Sequence, residues 1–329
     1  MYLGTQFAAR TDADYETFKQ LGVNNINGFP DVQHQNWTPK NLIQYREKVE
    51  SFGLKLDMVQ LPLSSADIDT RVKNGEFYNI LTGTSPERDY EIERICEIIS
   101  MCSEAGIPAV KYNLNIIGIP RTKSELGRGG AKLSTFRWDE ADKNAPDTYA
   151  GKVSEDVFWE RIDYFLDKVV PVAEEKKVRL ACHPHDPYTP PGYKGVTRVL
   201  GTVEGLKKFV SIRENEYHGL NFCQGTITEM MDNPGEEIFD VIRYFGNKNK
   251  IFNVHFRNIK GNKLSFTEVF PDEGSINMYE AIKVYKEVNY KYMLMPDHVP
   301  QINAKDPKMT AFSYCYGYIN ALLQSIENN

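Results

Sequence analysis

The sequence predicts an α/β protein, a closed (β/α)8 TIM barrel, from three observations. Eight short apolar segments recur along the 329 residues, and each is followed by a longer amphipathic segment. Segments such as IFNVHF and YMLMP are apolar nearly throughout, which is typical of parallel strands buried on both faces. No Pro-, Ser- or Gly-rich linker divides the chain. We therefore expect residues 1–329 to form a single TIM-barrel domain.

The apolar segments place the strands. In chain order, the predicted strands are Leu3–Ala8, Asn24–Phe29, Lys55–Leu61, Ala109–Leu114, Val178–Cys182, Leu220–Gln224, Ile251–Arg257 and Tyr292–Pro296. Eight strands that each precede a helix are the number that closes such a barrel.

Capping residues and breakers place the helix boundaries. Thr38 with Pro39, Ser85 with Pro86, and Ser154 each precede an amphipathic segment, as a helix N-cap does. Glycines follow three helices at the position where a left-handed conformation is common, and these are Gly22, Gly53 and Gly106. Pro171 is expected to end or kink the fifth helix, because proline lacks a backbone donor.

Two long loops follow predicted strands. Gly118–Gly151 follows the fourth strand and Asn262–Gly274 the seventh, so both are expected at the carboxyl-terminal mouth of the barrel. The first is polar and rich in glycine, and we interpret it as a mobile lid. Its arginines, Arg121, Arg128 and Arg137, are expected to be solvated.

Composition excludes several classes of protein. Hydrophobic content of 41% and charged content of 26% are typical of a globular chain, and no stretch of 18 apolar residues predicts a membrane span. A net charge of −6 without a dense Lys/Arg run argues against a nucleic-acid partner. Five scattered cysteines and the absence of a signal-like start predict a reduced, cytoplasmic protein with a small-molecule substrate, compatible with a homo-oligomer.

Residues that could bind a metal lie where predicted strands end. His183, Cys223, His255 and Asp297 fall on strands five, six, seven and eight, separated by 40, 32 and 42 residues. Each separation is one βα repeat, so the four side chains should meet near the barrel axis. Such a set suits Zn2+, Fe2+ or Mn2+ and is poor for Ca2+ or Mg2+. A single histidine or cysteine in a strand is more often structural, but four in register favour a metal site.

Several blocks of sequence resemble those of one enzyme family. They are HPHDPYTPPGYKGVTRVLG, GLNFCQGT, KIFNVHFRNIKG and PDEGSINMYEAIKVYKEVNYKYMLMPDH. These blocks are similar, in order, to mannonate dehydratase, a family of the xylose-isomerase-like TIM barrels. The similarity is strong over residues 171–300 and weaker but colinear over residues 11–115.

The resemblance implies roles for particular residues. It places the family's metal ligands on the four candidates above, with Mn2+ or Fe2+ as the usual metal. It implies a catalytic acid/base at His298 and contacts to the substrate at Arg198 and Arg257. The implied reaction is dehydration of D-mannonate or a related aldonate to a 2-keto-3-deoxy acid, with a second acid that protonates the departing hydroxyl.

The chain departs from the family at three places. His185 stands where the first histidine block has an aspartate, and it is either a loop residue or a replacement substrate contact. Phe312 stands where the family has its catalytic tyrosine, so Tyr314 and Tyr316 become the candidates for the second acid. The loop Gly118–Gly151 also differs from the corresponding segment of the family.

The remaining candidates leave alternatives open. Tyr112 and Asn113, at the end of the fourth strand, could contact substrate or cap the strand, while His34 and His218 are expected to be structural. The alternative enzyme is a metal-dependent sugar isomerase or epimerase, and a third hypothesis is a sugar-binding or scaffold barrel that has lost catalysis. We expect an arginine directed at the open metal position to favour an acid substrate, and its absence to favour a neutral sugar.

Overall fold

The computed structural model describes residues 1–327 and consists of a closed barrel of eight parallel strands. The barrel order is β1-β13-β10-β9-β8-β4-β3-β2. The strands are β1 (Tyr2–Thr5), β2 (Asn25–Gly28), β3 (Lys55–Gln60), β4 (Ala109–Asn113), β5 (Glu125–Leu126), β6 (Lys132–Leu133), β7 (Thr135–Arg137), β8 (Arg179–His183), β9 (His218–Cys223), β10 (Ile251–His255), β11 (Ile259–Asn262), β12 (Ser265–Glu268) and β13 (Met293–Met295). The predicted (β/α)8 barrel is therefore confirmed.

Helices pack around this barrel. They are α1 (Asp12–Gln20), α2 (Pro39–Ser51), α3 (Ile68–Asn74), α4 (Asn79–Thr82), α5 (Glu87–Glu104), α6 (Glu155–Lys176), α7 (Val203–Ser211), α8 (Gln224–Thr228), α9 (Pro234–Asn247), α10 (Met278–Glu287) and α11 (Pro307–Glu327). Short 3-10 turns lie at His34–Asn36, Arg128–Gly130 and Trp138–Glu140. Within the described chain, no helix is long and apolar enough to cross a membrane.

All eight predicted barrel strands are present, with small differences at their ends. The largest difference is in β1, which ends at Thr5 instead of Ala8. The side chain of Thr5 accepts a hydrogen bond of 2.9 Å from the backbone of Phe7, and this local bond replaces the next bond of the strand ladder. Parallel pairing then aligns the strand tips, since His255 pairs with both Cys223 and Met295.

Two helix predictions need correction. Helix α5 begins at Glu87 after Pro86, and Ser85 does not cap it. Pro171 does not end α6, which continues to Lys176, and a kink at this residue remains a prediction. The proline ring lies on the exposed side of the helix, where water can serve the carbonyl left without a donor, while Val170 and Ala173 continue the buried face.

The other predicted boundaries are confirmed. Thr38 and Ser154 accept hydrogen bonds from the first turns of α2 and α6. The glycines after α1, α2 and α5 have φ angles of 83°, 71° and 71°, the left-handed region that favours glycine.

The loop after β4 is ordered by packing against the loop after β10. Strand β7 pairs with β12, and β12 pairs with β11, so that both insertions form one three-stranded antiparallel sheet over the barrel mouth. Phe136 and Phe266 lie opposite each other in this sheet, and both are fully buried. The arrangement brings residues of Gly118–Gly151 to the mouth of the barrel. A lid motion of this segment remains a prediction.

The capping assignment gives the first testable prediction. Thr38→Ala should lower the free energy of unfolding by about 1 kcal/mol, because the N-cap side chain bonds the backbone of Asn41. Ser85→Ala should change it by less than about 0.5 kcal/mol, because Ser85 bonds only the exposed Asp89. Urea denaturation followed by circular dichroism measures both, and an equal loss in the two variants would refute the assignment.

Candidate metal centre and active-site cavity

Four potential metal ligands converge at the carboxyl-terminal ends of adjacent barrel strands. His183, Cys223 and His255 are the last residues of β8, β9 and β10, and Asp297 lies two residues beyond β13. One ligand atom from each lies within 4.8 Å of the ligand atoms of the other three. Because metal–ligand bonds are about 2.0–2.3 Å for N, O and S donors, one cation can reach all four.

The histidine rings are oriented by bonds on the side away from the cluster. His183 donates from Nδ1 to the carbonyl of Pro184 at 2.7 Å, which leaves Nε2 free to bind a cation. His255 turns Nδ1 toward the cluster, where it lies 3.3 Å from Asp297 Oδ2 and lacks a well-aligned hydrogen bond. The side-chain NH2 group of Asn221 lies 3.2 Å from His255 Nε2, and its amide oxygen accepts a hydrogen bond from Asn253.

The charges of the ligands also suit a divalent cation. Burial raises the pKa of the Cys223 thiol, but the charge of Arg257, with a smaller contribution from the neighbouring His255, outweighs it and lowers the pKa below its ordinary value. Burial lowers the pKa of His183 to about 4, and Lys111 acts in the same direction, so this ring is neutral. A thiolate and a carboxylate balance two positive charges, while neutral imidazoles supply lone pairs.

His298 lies beside this cluster on the wall of the cavity. Its Nδ1 is 2.8 Å from Glu268 Oε1 and its Nε2 is 3.8 Å from Asp297 Oδ2. Burial lowers its pKa, but Asp297 and Glu268 outweigh that effect and raise the pKa to about 10. A cation bound to Asp297 would reduce the contribution of this carboxylate to the pKa of His298. Glu268 would then be the main anionic partner of the ring.

Arg257 lies next to the ligand cluster and near His298, and it is fully buried. Its guanidinium contacts Glu268 at 2.6 Å, and Asp186 and Glu229 at 2.9 Å each. It also lies 3.7 Å from Cys223 Sγ and 3.7 Å from Asp297 Oδ2. Both terminal nitrogens of the guanidinium are therefore bonded to acidic side chains, while Nε lacks a hydrogen bond and lies near Asp297.

Contrary to the expectation from the sequence, Arg121 is not solvated. Its side chain is only 15% exposed, and it forms ion pairs with Glu268 and, at 2.6 Å, with Asp186. Glu268 Oε1 therefore accepts from Arg121, Arg257 and His298 at once. The expectation was wrong because polar loops are usually exposed, whereas this loop packs against β12 and carries Arg121 inward. Arg128 is 47% exposed and pairs with Asp272, and Arg137 bonds the insertion sheet.

A cavity of about 770 Å3 opens beside the cluster, a size typical of small-molecule sites. It is lined by Gln6, Ile119, Arg121, Ser134, Glu268, Asp297, His298, Val299, Pro300, Gln301, Asp306, Pro307, Lys308 and Phe312. Arg121, Lys308 and His298 are its cationic residues. Of the four potential ligands, Asp297 lines the cavity, so substrate would meet His298 and the Asp297 side of the cluster together.

Several predicted substrate contacts lie elsewhere. Arg198 is buried and donates to the carbonyls of Pro187 and Gly118 and to the amide oxygen of Asn115, so it ties loops together. His185 is buried, with Nε2 2.9 Å from the carbonyl of Leu114 and its ring stacked on Phe158. Neither side chain lines the cavity.

Strand alternation separates the other pair of candidates. Tyr112 is fully buried, and its ring packs on Phe165 of α6, outside the barrel. Asn113 points inward and pairs with His183 across the strands. Because successive side chains of a strand point to opposite faces, only one of the two can approach the site.

The tyrosines proposed for the second acid do not line the cavity. Tyr314 is 41% exposed and packs on Phe270. Tyr316 is fully buried, and its hydroxyl lies 2.5 Å from Thr5 Oγ1. Phe312, which stands where the resembled family has tyrosine, lines the cavity. His218 bonds the carbonyl of Phe209, and His34 packs on Phe77, as structural histidines do.

Sequence reasoning missed four residues of this region. Lys111 is buried inside the barrel and bonds Gln6 at 2.6 Å, and Gln6 in turn bonds Asp297. Glu268 and Asp186 hold the arginines described above. The alternation of β4 could have identified Lys111, since it shares the inward face with Asn113. No local signal distinguishes Gln6 or Glu268, which lie far in sequence from their partners.

The fold and cluster define a class, a (β/α)8 barrel with a potential cation site at its mouth. A family model described as D-mannonate dehydratase (UxuA) matches residues 131–329, more than half of the chain. The chain therefore belongs to the D-mannonate dehydratase family, whose members are metal-dependent hydro-lyases. The resemblance inferred from the sequence blocks is confirmed.

Individual relatives agree with this membership. Mannonate dehydratase of Thermotoga petrophila is 29% identical, over 86% of this chain and 84% of its own. Mannonate dehydratase of Streptococcus pneumoniae is 26% identical, over 88% of this chain and 83% of its own. The isomerase or epimerase alternative is not favoured.

Solved structures share the fold. The crystal structure of mannonate dehydratase from Streptococcus suis superposes with a TM-score of 0.81 at 24% identity, covering 98% of this chain and 93% of that chain. A D-tagatose 3-epimerase-like protein superposes with a TM-score of 0.59 at 17% identity, covering 99% and 100%. Both similarities concern the barrel architecture.

The buried ion pairs of Arg121 lead to a stability prediction. Arg121→Met should lower the free energy of unfolding by about 3 kcal/mol, because two buried carboxylates lose a partner. Arg128→Met, in the same insertion but largely exposed, should cost less than about 1 kcal/mol. Urea denaturation at neutral pH measures both, and similar losses would contradict the assignment of Arg121 as buried.

Cys223 provides a prediction about cation binding. Cys223→Ser should weaken binding of Mn2+ by 10-fold or more, because an alcohol with its proton replaces a thiolate among the donors. Titration calorimetry measures the change. Cys182→Ser is the matched control, since Cys182 lies on the neighbouring strand outside the cluster. Unchanged affinity in Cys223→Ser would exclude the sulfur as a ligand.

Proposed function

We propose that the chain is a metal-dependent hydro-lyase that dehydrates D-mannonate to 2-keto-3-deoxy-D-gluconate. The match to the D-mannonate dehydratase family carries this proposal. The matched residues, 131–329, include all four candidate ligands and His298. Convergence of the four potential ligands, with Asp297 and His298 lining one cavity, supports the same conclusion.

The reaction removes the proton from C2 and the hydroxyl from C3. The electron pair of the C2–H bond forms the C2–C3 double bond, the C3–O bond breaks, and the hydroxyl leaves as water. The enol product then becomes the 2-keto acid. A divalent metal held by His183, Cys223, His255 and Asp297 would act as a Lewis acid toward substrate oxygens. We propose Mn2+ or Fe2+, with Zn2+ as the alternative for this N2SO ligand set.

His298 is proposed to move the proton, through Nε2. Glu268 holds Nδ1 at 2.8 Å, which fixes the ring and stabilises its imidazolium form. With a pKa of about 10 the ring is protonated at neutral pH, so it would accept the C2 proton only once a cation on Asp297 has lowered that pKa and freed Nε2. The same Nε2 can return its proton to the departing C3 hydroxyl if both groups lie on one face of the substrate. This assignment needs no tyrosine, which agrees with Phe312 on the cavity wall.

Cationic residues of the cavity are suited to an acidic substrate. Arg198 and Arg257 are occupied by protein contacts, and taken alone this would favour a neutral sugar. Lys308 supplies an exposed cation on the cavity wall, and Arg121 adds a second positive group. We propose that Lys308 attracts the substrate carboxylate toward the open side of the cluster.

We also propose a cytoplasmic location and leave the homo-oligomer as a prediction. All five cysteines lie within the described residues and are free thiols, which supports a reducing compartment.

A substrate screen tests the proposed reaction. The protein, loaded with Mn2+, should consume D-mannonate and form a 2-keto acid, detected by a semicarbazide or periodate–thiobarbiturate assay. Other aldonates test the stereochemistry, and aldoses or ketoses test isomerisation. Conversion of a neutral sugar without any 2-keto acid from aldonates would overturn the proposal.

His298 gives a sharper prediction. His298→Asn should lower kcat by at least about 100-fold, because the proton-transfer group is removed. Binding of Mn2+, measured by calorimetry, should change little, because His298 is not among the four converging ligands. His218→Asn is a control, since this buried histidine lies away from the cavity. Near-normal turnover in the first variant would remove His298 from the mechanism.

A further inference from the structure

A buried lysine inside the barrel is used neither by the proposed reaction nor by the fold's ion pairs. Lys111 lies on the inward face of β4 and is 7% exposed. Its ammonium contacts the side-chain oxygen of Gln6 at 2.6 Å. A buried cation whose close partner is a neutral amide is costly, so its position calls for an explanation.

The lysine fixes the orientation of the Gln6 amide. An ammonium carries only donors, so Gln6 must turn its oxygen toward Lys111 and its NH2 group away. That NH2 group donates to Asp297 Oδ1 at 2.5 Å. Rotation of the amide would instead place an NH2 group against an ammonium and an oxygen against a carboxylate, and both contacts would be repulsive.

The bond from Gln6 selects the carboxylate oxygen that faces the cluster. With Oδ1 occupied, Asp297 presents Oδ2, which is 3.3 Å from His255 Nδ1 and 3.7 Å from Cys223 Sγ. The aspartate lies beyond the end of β13, so strand pairing alone does not fix its side chain. Gln6 follows β1, the neighbour of β13 in the barrel, and reaches Asp297 from the side.

We propose that Lys111 and Gln6 form a positioning relay that orients Asp297 for metal binding. In this relay the Lys111 ammonium bonds the oxygen of the Gln6 amide, and the Gln6 NH2 group bonds Asp297 Oδ1. The relay rests on the proposed metal site and adds residues that support one of its ligands. Partners of this kind affect metal affinity by about 10–100-fold when removed. Gln6 also lines the cavity, so the relay connects the interior of the barrel with the substrate side of the metal.

A change that keeps the net charge isolates the positioning effect. Gln6→Leu removes both bonds of the relay, and Mn2+ affinity measured by calorimetry should fall about 10–100-fold. Gln301→Leu is the matched control, because Gln301 lies on the same cavity wall and pairs with Lys132 through its main chain. Its affinity for Mn2+ should match that of the unmodified protein.

Lys111→Met distinguishes positioning from simple charge. If the lysine acted only as a nearby positive charge, its removal would strengthen cation binding. The relay predicts weaker binding instead, and no further loss when Lys111→Met is added to Gln6→Leu, because the lysine acts through the amide. Tighter binding in Lys111→Met, or additive losses in the double variant, would overturn the relay.

The controls separate failure of the relay from failure of the metal site. Absence of Mn2+ binding by the unmodified protein would overturn both the relay and the proposed metal site. Binding by the unmodified protein with equal affinity in Gln6→Leu would overturn the relay alone. Circular dichroism melting of the metal-free variants checks folding, and Gln6→Met replaces Gln6→Leu if the latter is unfolded.

Discussion

The structure depends on the neutralisation of several acidic groups buried at one end of the barrel. Arg257, which is itself fully buried, contacts the acids of this region, and these are Asp186, Glu229, Glu268 and Asp297. It also lies beside Cys223 and favours the thiolate. Burying charged groups costs several kcal/mol each unless they are paired, so an anionic ligand set at this depth requires such a cation. Charge pairing therefore permits the candidate metal centre.

The same pairing joins the candidate metal centre to the group that moves protons. Glu268 Oε1 accepts from His298 and from two arginines. One of these, Arg121, comes from the loop after β4, and Glu268 itself ends β12 in the loop after β10. Two insertions thus complete a site whose four potential ligands come from the barrel strands. A shift of the insertion sheet would change both the cavity wall and the support of His298.

The departures from the resembled family are accommodated locally. Phe312 gives an apolar wall to the cavity, and His185 fills a buried position stacked on Phe158. The aspartate after it, Asp186, retains the pairing with Arg121 and Arg257. Arg198 supports loops instead of facing the cavity, and Lys308 supplies a cation there. The proposed chemistry consequently rests on the ligands and on His298.

The sequence by itself determined the eight strands, their order along the chain and the convergence of His183, Cys223, His255 and Asp297. Residues at or just beyond the tips of consecutive strands lie close together in a closed parallel barrel, because all the strands present their carboxyl ends at one face. Alternation along β4 places Lys111 and Tyr112 on opposite faces. Only the tertiary structure decided which of these faces is inward, that Arg121 enters the site, and that Gln6 reaches Asp297. Those arrangements depend on packing between segments distant in sequence, and no local pattern encodes the direction in which a loop side chain points.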